Sequence, residues 1–339
     1  MTVNRQWLLA RTPGGQVGLD DFTYREVAID PPALGEGQIW VRARLFRFAP
    51  AMRTWMKATS AFVPPMPVGE PVMGSAAAEV IATRHPDYPV GTVVSAMTGW
   101  QDYALLNPGA LPVPLRTMPQ GMDLVDFEGL LGGNSLTAYF GLLKVGEPRP
   151  GETLLVSGAA GSTGSIAAQI GRIMGCRVIG VAGGADKCRW LVETCGLDAA
   201  IDYRHEDVEA RLDALCADGV HIFYDNVGGA MLDAGIAHMA PHGRVVLCGQ
   251  ISSYDDGDNL SPGPRDMMRV IYWRLKLQGF LAFDYADQTA TAEADLARWA
   301  AEGKLVHHVE MVDGFHRLPE TFLRLFDSSH RGTMLLRPG

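Results

Sequence analysis

The sequence contains no cysteine before Cys176, and His85 is its only histidine before His205. A catalytic zinc held by Cys and His ligands from an N-terminal domain therefore cannot be assembled there. The five cysteines (Cys176, Cys188, Cys195, Cys216, Cys248) are odd in number and form no close set. That excludes a four-cysteine zinc lobe and argues against a disulfide framework, so a reducing, cytoplasmic setting is expected. No apolar run approaches the length of a membrane span. The opening Met-Thr-Val-Asn-Arg-Gln-Trp lacks a basic region followed by an apolar one, so neither a signal peptide nor a membrane anchor is expected. No Lys/Arg cluster is present and the net charge is −9, which speaks against a nucleic-acid partner. There is no G-x-S-x-G elbow, no phosphate-binding lysine loop and no internal repeat.

What is present is ordinary for a soluble globular protein: 339 residues, 47% hydrophobic and 20% charged. That length favours two domains. The first part reads as β-rich. Along Ile39–Phe46, Ile39, Val41, Ala43 and Leu45 alternate with Trp40, Arg42, Arg44 and Phe46, the period of a strand. Short runs at Val72–Thr83, Thr92–Met97 and Tyr103–Leu106 follow, punctuated by Pro and Gly, a barrel-like or sandwich-like spacing. From Glu128 to Lys144 the pattern predicts a helix, and Pro148 and Pro150 break it. Strands are then predicted near 153–157, 177–182, 199–202, 220–224, 244–248 and 277–282, with helices between. Such alternation predicts a doubly wound parallel sheet. A strand near 306–311, a helix near 317–327 and a strand near 333–337 close the chain. The fold class is thus α/β, with a Rossmann domain inserted into a β-rich domain. The divisions fall at 1–127 for the β-rich substrate domain, 128–304 for the dinucleotide domain and 305–339 for the return.

The strand Thr153–Ser157 runs into Gly158-Ala-Ala-Gly161-Ser162-Thr163-Gly164 and then an apolar helical stripe ending at Gly175. Small residues let backbone approach a pyrophosphate, and the helix N-terminus offers amide hydrogens and the positive end of its dipole. Three glycines alone are a weak signal that a plain tight turn also gives; the strand–turn–helix order favours the cofactor. About 20 residues on, where an NAD site places an acid, the chain reads Val181-Ala-Gly183-Gly184-Ala-Asp186-Lys187. Lys187 reads either as a partner for a 2′-phosphate or as a solvated helix lysine, and Asp186 would oppose a phosphate if it faced one. Tyr272 and Lys276 have the Y-x-x-x-K spacing of short-chain reductases. They follow the presumed fifth strand, however, in a segment with core periodicity (Met267, Ile271, Leu275).

The chain resembles, nearly end to end, the zinc-free branch of the medium-chain dehydrogenase/reductase superfamily. That branch includes prostaglandin and leukotriene reductases, plant double-bond reductases and bacterial curcumin reductase. The resemblance is carried by Leu136-Thr-Ala-Tyr-Phe-Gly-Leu-Leu143, Val156-Ser-Gly-Ala-Ala-Gly161, Gly183-Gly-Ala-Asp-Lys-Cys-Arg-Trp190, Asp225-Asn-Val-Gly-Gly229, Cys248-Gly-Gln-Ile-Ser252 and Gln278-Gly-Phe280. It implies a GroES-like β-rich domain, NADPH as cofactor and a homodimer. Gly161, Ser162, Thr163 and Gly164 would form the pyrophosphate turn, and Lys187 and Tyr203 the 2′-phosphate grip. Asn226 and the loop Cys248, Gly249, Ile251, Ser252 to Tyr254 would line the nicotinamide half. Phe280, Leu281 and Ala282 would form the strand end beside it. The implied reaction is hydride transfer from NADPH to the β-carbon of a conjugated enone or enal. A tyrosine hydroxyl, assigned to Tyr254, would stabilise the enolate.

The family's Asp-Pro-x-Met-Arg stretch reads Ala49-Pro-Ala-Met52-Arg53 here, without the acid, and Thr54 replaces a usual glycine. The family's Asn-x-Gly-Lys reads His330-Arg-Gly-Thr333, so His330 takes the place of a cofactor-facing asparagine. Gly133-Asn134-Ser135 differs from the common Met-Thr-Gly. Met52, Trp55, Met56, Phe62 and Phe283 read either as walls of an apolar substrate pocket, suiting a bulky enone, or as plain core. Two other activities stay in competition with the alkene reductase: a quinone or carbonyl reductase, and a non-catalytic NADPH-binding protein.

Overall fold

The computed structural model describes residues 2–58, 64–111, 115–256 and 263–339. They divide into two compact units. One comprises 2–130 and Val309–Gly339, joined by Asp255 and Asp256; the other comprises Leu131–Tyr254 and 263–308. The boundaries lie a few residues beyond those of the sequence division, which did not contain the Asp255 excursion. Phe62 lies outside the described residues.

In chain order the strands are β1 (Thr2–Leu9), β2 (Phe22–Ile29), β3 (Ile39–Arg47), β4 (Ser75–Thr83), β5 (Val93–Ala96), β6 (Tyr103–Leu106) and β7 (Arg116–Thr117). There follow β8 (Thr153–Val156), β9 (Arg177–Ala182), β10 (Ala199–Asp202), β11 (Val220–Asp225), β12 (Met239–Leu247) and β13 (Lys276–Gly279), and finally β14 (Val309–Asp313) and β15 (Thr333–Arg337).

In the first unit, β1 and β2 form an antiparallel pair, and a larger sheet runs β14-β15-β3-β4-β5-β7 with β6 also on β3. The alternation in β3 holds. Ile39, Val41, Ala43 and Leu45 are buried while Arg42 and Arg44 are exposed. Trp40 is buried as well, where the ladder to β4 shifts register, and so is Phe46.

The second unit is a six-stranded sheet in the order β10-β9-β8-β11-β12-β13, parallel throughout. Counted within the unit, that is 3-2-1-4-5-6, the Rossmann order. Its inner strands are continuous apolar runs because helices cover both faces; all four residues of β8 are buried.

Three expectations need correction. The helix over 128–144 is instead Leu124–Glu128 and Gly133–Phe140, with Gly141–Gly146 continuing as a π-helical turn. Glycines at 129 and 132 interrupt it, since glycine loses most backbone entropy in a helix. The strand expected at 277–282 stops at Gly279. Leu281 N–H donates to Asp284 Oδ2 and Asp284 N–H to the Leu281 carbonyl, which starts a 3₁₀ turn at Ala282. The strand expected from 306 begins at Val309, because Val306 gives both backbone groups to the Gln169 side chain (Oε1 2.7 Å, Nε2 3.0 Å). No helix among the described residues is long and apolar enough to cross a membrane.

Candidate active site

The glycine turn sits between β8 and the helix Ser162–Ile173, with Gly161 as N-cap. Gly158 has φ +58°, a conformation that favours glycine. A Cβ on Gly164 would collide with the Gly158 carbonyl oxygen and lie 2.9 Å from Ala159 Cα, so the helix packs against the turn only without a side chain there. This is a cradle that closes on bare backbone, with the amides of a 12-residue helix at its mouth. It fits a dinucleotide pyrophosphate. Asn134 Nδ2 donates to Ser162 Oγ at 3.1 Å, so the unusual Gly133-Asn134-Ser135 stretch braces the turn from behind.

The corner beyond β9 carries no acid of its own. Asp202, at the end of β10, reaches it and accepts the Gly184 N–H at 2.7 Å. Tyr203 donates its N–H to the Ala182 carbonyl, and its ring lies against Gly183. Lys187 stands in the first turn of the helix Ala185–Glu193, next to Asp186. Gly183, Lys187 and Tyr203 are therefore neighbours through one short turn and the strand beside it.

The loops after β11 and β12 are laced together. Asn226 donates Nδ2–H to the Ser157 carbonyl (2.7 Å) and its N–H to Ser157 Oγ (2.9 Å). Ser157 Oγ donates to Asp225 Oδ1, whose carboxylate also accepts the Val227 and Gly228 N–H groups. Ile251 and Ser252 donate N–H to the carbonyls of Asn226 and Val227. Gly249 lies at the crossing: a Cβ there would sit 3.1 Å from Tyr254 Oη and 3.2 Å from the Asn226 carbonyl. The Tyr254 hydroxyl accepts the Gln250 N–H at 3.3 Å. Burial raises its pKa, with Cys248 and Asp225 adding to the rise against the Gln250 bond. It is a protonated phenol at neutral pH, able to donate.

Cys248 is pushed up to about 12 by burial and is a neutral thiol. Its sulfur lies 3.4 Å from Tyr224 Oη, whose one proton goes to the Thr137 carbonyl at 3.0 Å, so the thiol is the donor to the phenol oxygen. Phe280 fills the space that a side chain at Gly141 would occupy, with Tyr224 Oη 2.8 Å from that point. Leu281 and Phe283 are exposed on the 3₁₀ segment that follows.

The remaining candidates belong to the first unit. Met52 and Met56 are each 1% exposed and packed in its core with Phe48, Val72 and Trp100, so they are core residues rather than pocket walls. Trp55 is partly buried against the same cluster. His330 donates Nδ1–H to the Arg324 carbonyl at 3.0 Å. Arg53, from the altered motif, is fully buried and donates Nε–H to Asp255 Oδ1 (2.8 Å) and Nη2–H to the Gly15 carbonyl (2.5 Å). Tyr272 is exposed on a surface helix and Lys276 faces Glu147 at 3.8 Å, so the Y-x-x-x-K spacing assembles nothing. The sequence reading missed Ser157, Asp202, Tyr224 and Asp225. Each is a polar residue in or beside an apolar strand, and that misplaced polarity was the available signal.

Among the described residues, no group of three or more His, Cys, Asp or Glu stands in metal-holding proximity. Residues 5–113 match the family model of the N-terminal domain of oxidoreductase, and 162–300 that of zinc-binding dehydrogenase. The chain is 36% identical to the NADPH-dependent curcumin reductase of Escherichia coli, covering 98% of this chain and 96% of that protein. It is 33% identical to prostaglandin reductase 1 of Bos taurus, covering 98% of each. The crystal structure of CurA from Vibrio vulnificus in complex with NADPH superposes with a TM-score of 0.90 at 33% identity, covering 99% of both chains. The turn and the laced loops lie in the second unit and the likenesses run through both, and the chain belongs to the medium-chain dehydrogenase/reductase superfamily, as an oxidoreductase of the branch that holds the curcumin and prostaglandin reductases.

Proposed function

We propose that this protein reduces the carbon–carbon double bond of α,β-unsaturated ketones or aldehydes, with NADPH as the cofactor. The observation that carries the reading is the Tyr254 hydroxyl. It is kept protonated beside the loop Cys248–Ser252, and relatives named for curcumin and prostaglandin reduction support the substrate class. When bound, NADPH supplies the hydride for the β-carbon.

The chain's own residues do the rest. The turn Gly161–Gly164 receives the pyrophosphate at the helix N-terminus, and Lys187 and Tyr203 take the 2′-phosphate. Asn226, Cys248, Gly249, Ile251 and Ser252 shape the nicotinamide end, with Phe280, Leu281 and Ala282 beyond them. Tyr254 donates to the carbonyl oxygen as negative charge develops there, which lowers the barrier because the donor is already in place. Phe283, 51% exposed, is the apolar side chain assigned to an apolar substrate. The same reading takes the protein to be a cytosolic homodimer, which sedimentation would check.

The test is NADPH oxidation followed at 340 nm with an aliphatic 2-alkenal, a benzalacetone, a prostaglandin-like enone and a quinone, with products identified by mass and NMR. Saturation of the alkene with the carbonyl retained is the expected result. Turnover of the quinone alone would replace this reading with a quinone reductase, and NADPH binding without turnover would replace it with a binding protein.

A further inference from the structure

We infer that Gly183 and Asp202 set the preference for NADPH over NADH as positioning residues: the bare α-carbon of Gly183 seats the Tyr203 ring, and Asp202 locks the Gly183–Gly184 turn beneath it. The inference rests on the NADPH reading above and adds two residues that hold, rather than touch, the 2′-phosphate.

An NAD-preferring domain places an acid at the end of its second strand, where it accepts from the ribose hydroxyls. Here β9 ends at Ala182 and two glycines follow. The acid stands one strand over: Asp202 is paired in register with Ala182. Its carboxylate is already occupied. Oδ1 accepts the N–H of Gly184 at 2.7 Å and of Arg204 at 3.1 Å, and Oδ2 accepts His205 Nδ1 at 2.8 Å. Burial alone would raise its pKa, but the Gly184 N–H, His205 and the Arg204 N–H together hold it below the ordinary value. A carboxylate with three donors on it has little to offer a ribose hydroxyl, so Asp202 does not take the place of the acid that an NAD site puts at the end of its second strand.

The same bond sets Tyr203. Gly184, with φ +99°, leads into the helix that carries Lys187, and Asp202 holds its N–H. Gly183, one residue earlier, lies against the Tyr203 ring. A Cβ there would stand 2.9 Å from Cε1, Cζ and Oη alike, too close for all three. Gly183 is outside the left-handed region, so alanine would fit its backbone. What must move is the phenol end of Tyr203, the part assigned to the 2′-phosphate. Gly183→Ala therefore displaces that hydroxyl while leaving the turn intact, whereas Gly184→Ala would strain the backbone directly.

The experiment is calorimetric titration of NADPH, NADH and 2′,5′-ADP into the full-length protein and its variants. Gly183→Ala is expected to weaken NADPH and 2′,5′-ADP about tenfold, the loss of roughly one hydrogen bond to a charged group, and NADH by under about twofold. In a Tyr203→Ala background the same substitution should cost nothing further, since the ring it displaces is gone. Asp202→Ala should act in the same direction, and Asp202→Asn should recover most of the loss, because an amide oxygen still accepts the Gly184 N–H. Equal weakening of NADPH and NADH by Gly183→Ala, or an effect undiminished by Tyr203→Ala, overturns the inference while leaving the cofactor reading standing. A wild-type protein that binds NADH as tightly as NADPH overturns the cofactor reading itself.

Discussion

Ser157 Oγ donates to Asp225 Oδ1 across 2.6 Å, and both side chains are buried. The pair joins the residue after β8 to the last residue of β11. Ser157→Ala strands the Asn226 N–H and one carboxylate lone pair, and should lower the unfolding free energy by about 1–3 kcal/mol. Asp225→Asn should cost more, because an amide NH₂ would face the Val227 or Gly228 donors. Both variants should also weaken NADPH binding, since Asn226 is oriented by Ser157. Urea unfolding with NADPH titration checks this, and unchanged affinity in Ser157→Ala would separate Asn226 from the cofactor.

Tyr254→Phe should reduce kcat about a hundredfold with a smaller change in NADPH affinity, the scale of losing one preset donor to a developing oxyanion. The phenol works as a donor only while protonated, and burial raises its pKa above 10.0. Rate should thus fall as pH rises through that raised value, placing the alkaline limb above 10. A limb well below 10 in kcat, or a Phe variant with wild-type rate, would remove Tyr254 from the mechanism.

Arg53 is held inside the first unit by Asp255 and the Gly15 carbonyl, while its Nη1 has no partner among the described residues. Arg53→Met should destabilise by about 3–5 kcal/mol, toward the lower end because Asp255 retains some contact with water. Asp255→Asn keeps an acceptor for Nε–H and should cost less. Denaturant midpoints at constant m-value measure both, and equal losses would mean that the charge pairing, not the hydrogen bond that asparagine keeps, carries the cost.

His307 is held neutral, its pKa lowered from 6.5 to about 4 by burial and then by His308. Between those values the unfolded chain binds the proton and the folded chain does not. Stability from this group is complete above pH 6.5 and is lost as pH falls toward 4. His307→Gln should flatten the pH dependence of the unfolding free energy in that window; an unchanged slope would assign the acid sensitivity elsewhere.

The dinucleotide unit was largely legible. Its inner strands are apolar runs cut by glycine turns, and a buried parallel strand has few other ways to be written. Its edges were less so. β12 begins at Met239, through Pro241 and Gly243, with His242 at φ +64°. Those residues read as a turn, yet β11 supplies the partner at Val220 despite a register shift. The candidate site was legible where backbone makes it, as at Gly161–Gly164. It was hidden where one side chain reaches across strands, as Asp202 does to Gly184, since spacing along the chain carries no trace of a neighbour two elements away. Met52 and Met56 stand differently: their stripe reads as pocket or as core alike, and in the structure both are packed in the core of the first unit.

β3 takes β15 as a neighbour, and Arg5 Nη2 donates to the Pro338 carbonyl, so the first unit joins segments that precede and follow the second unit in sequence. The six strands of the second unit all lie between Thr153 and Gly279. On the ribosome, that parallel sheet has every strand it needs before β15 has been synthesised, whereas β3 waits through the rest of translation for its last partner. The inserted unit is therefore the one able to mature first, and the first unit completes its sheet only after the inserted one has been made.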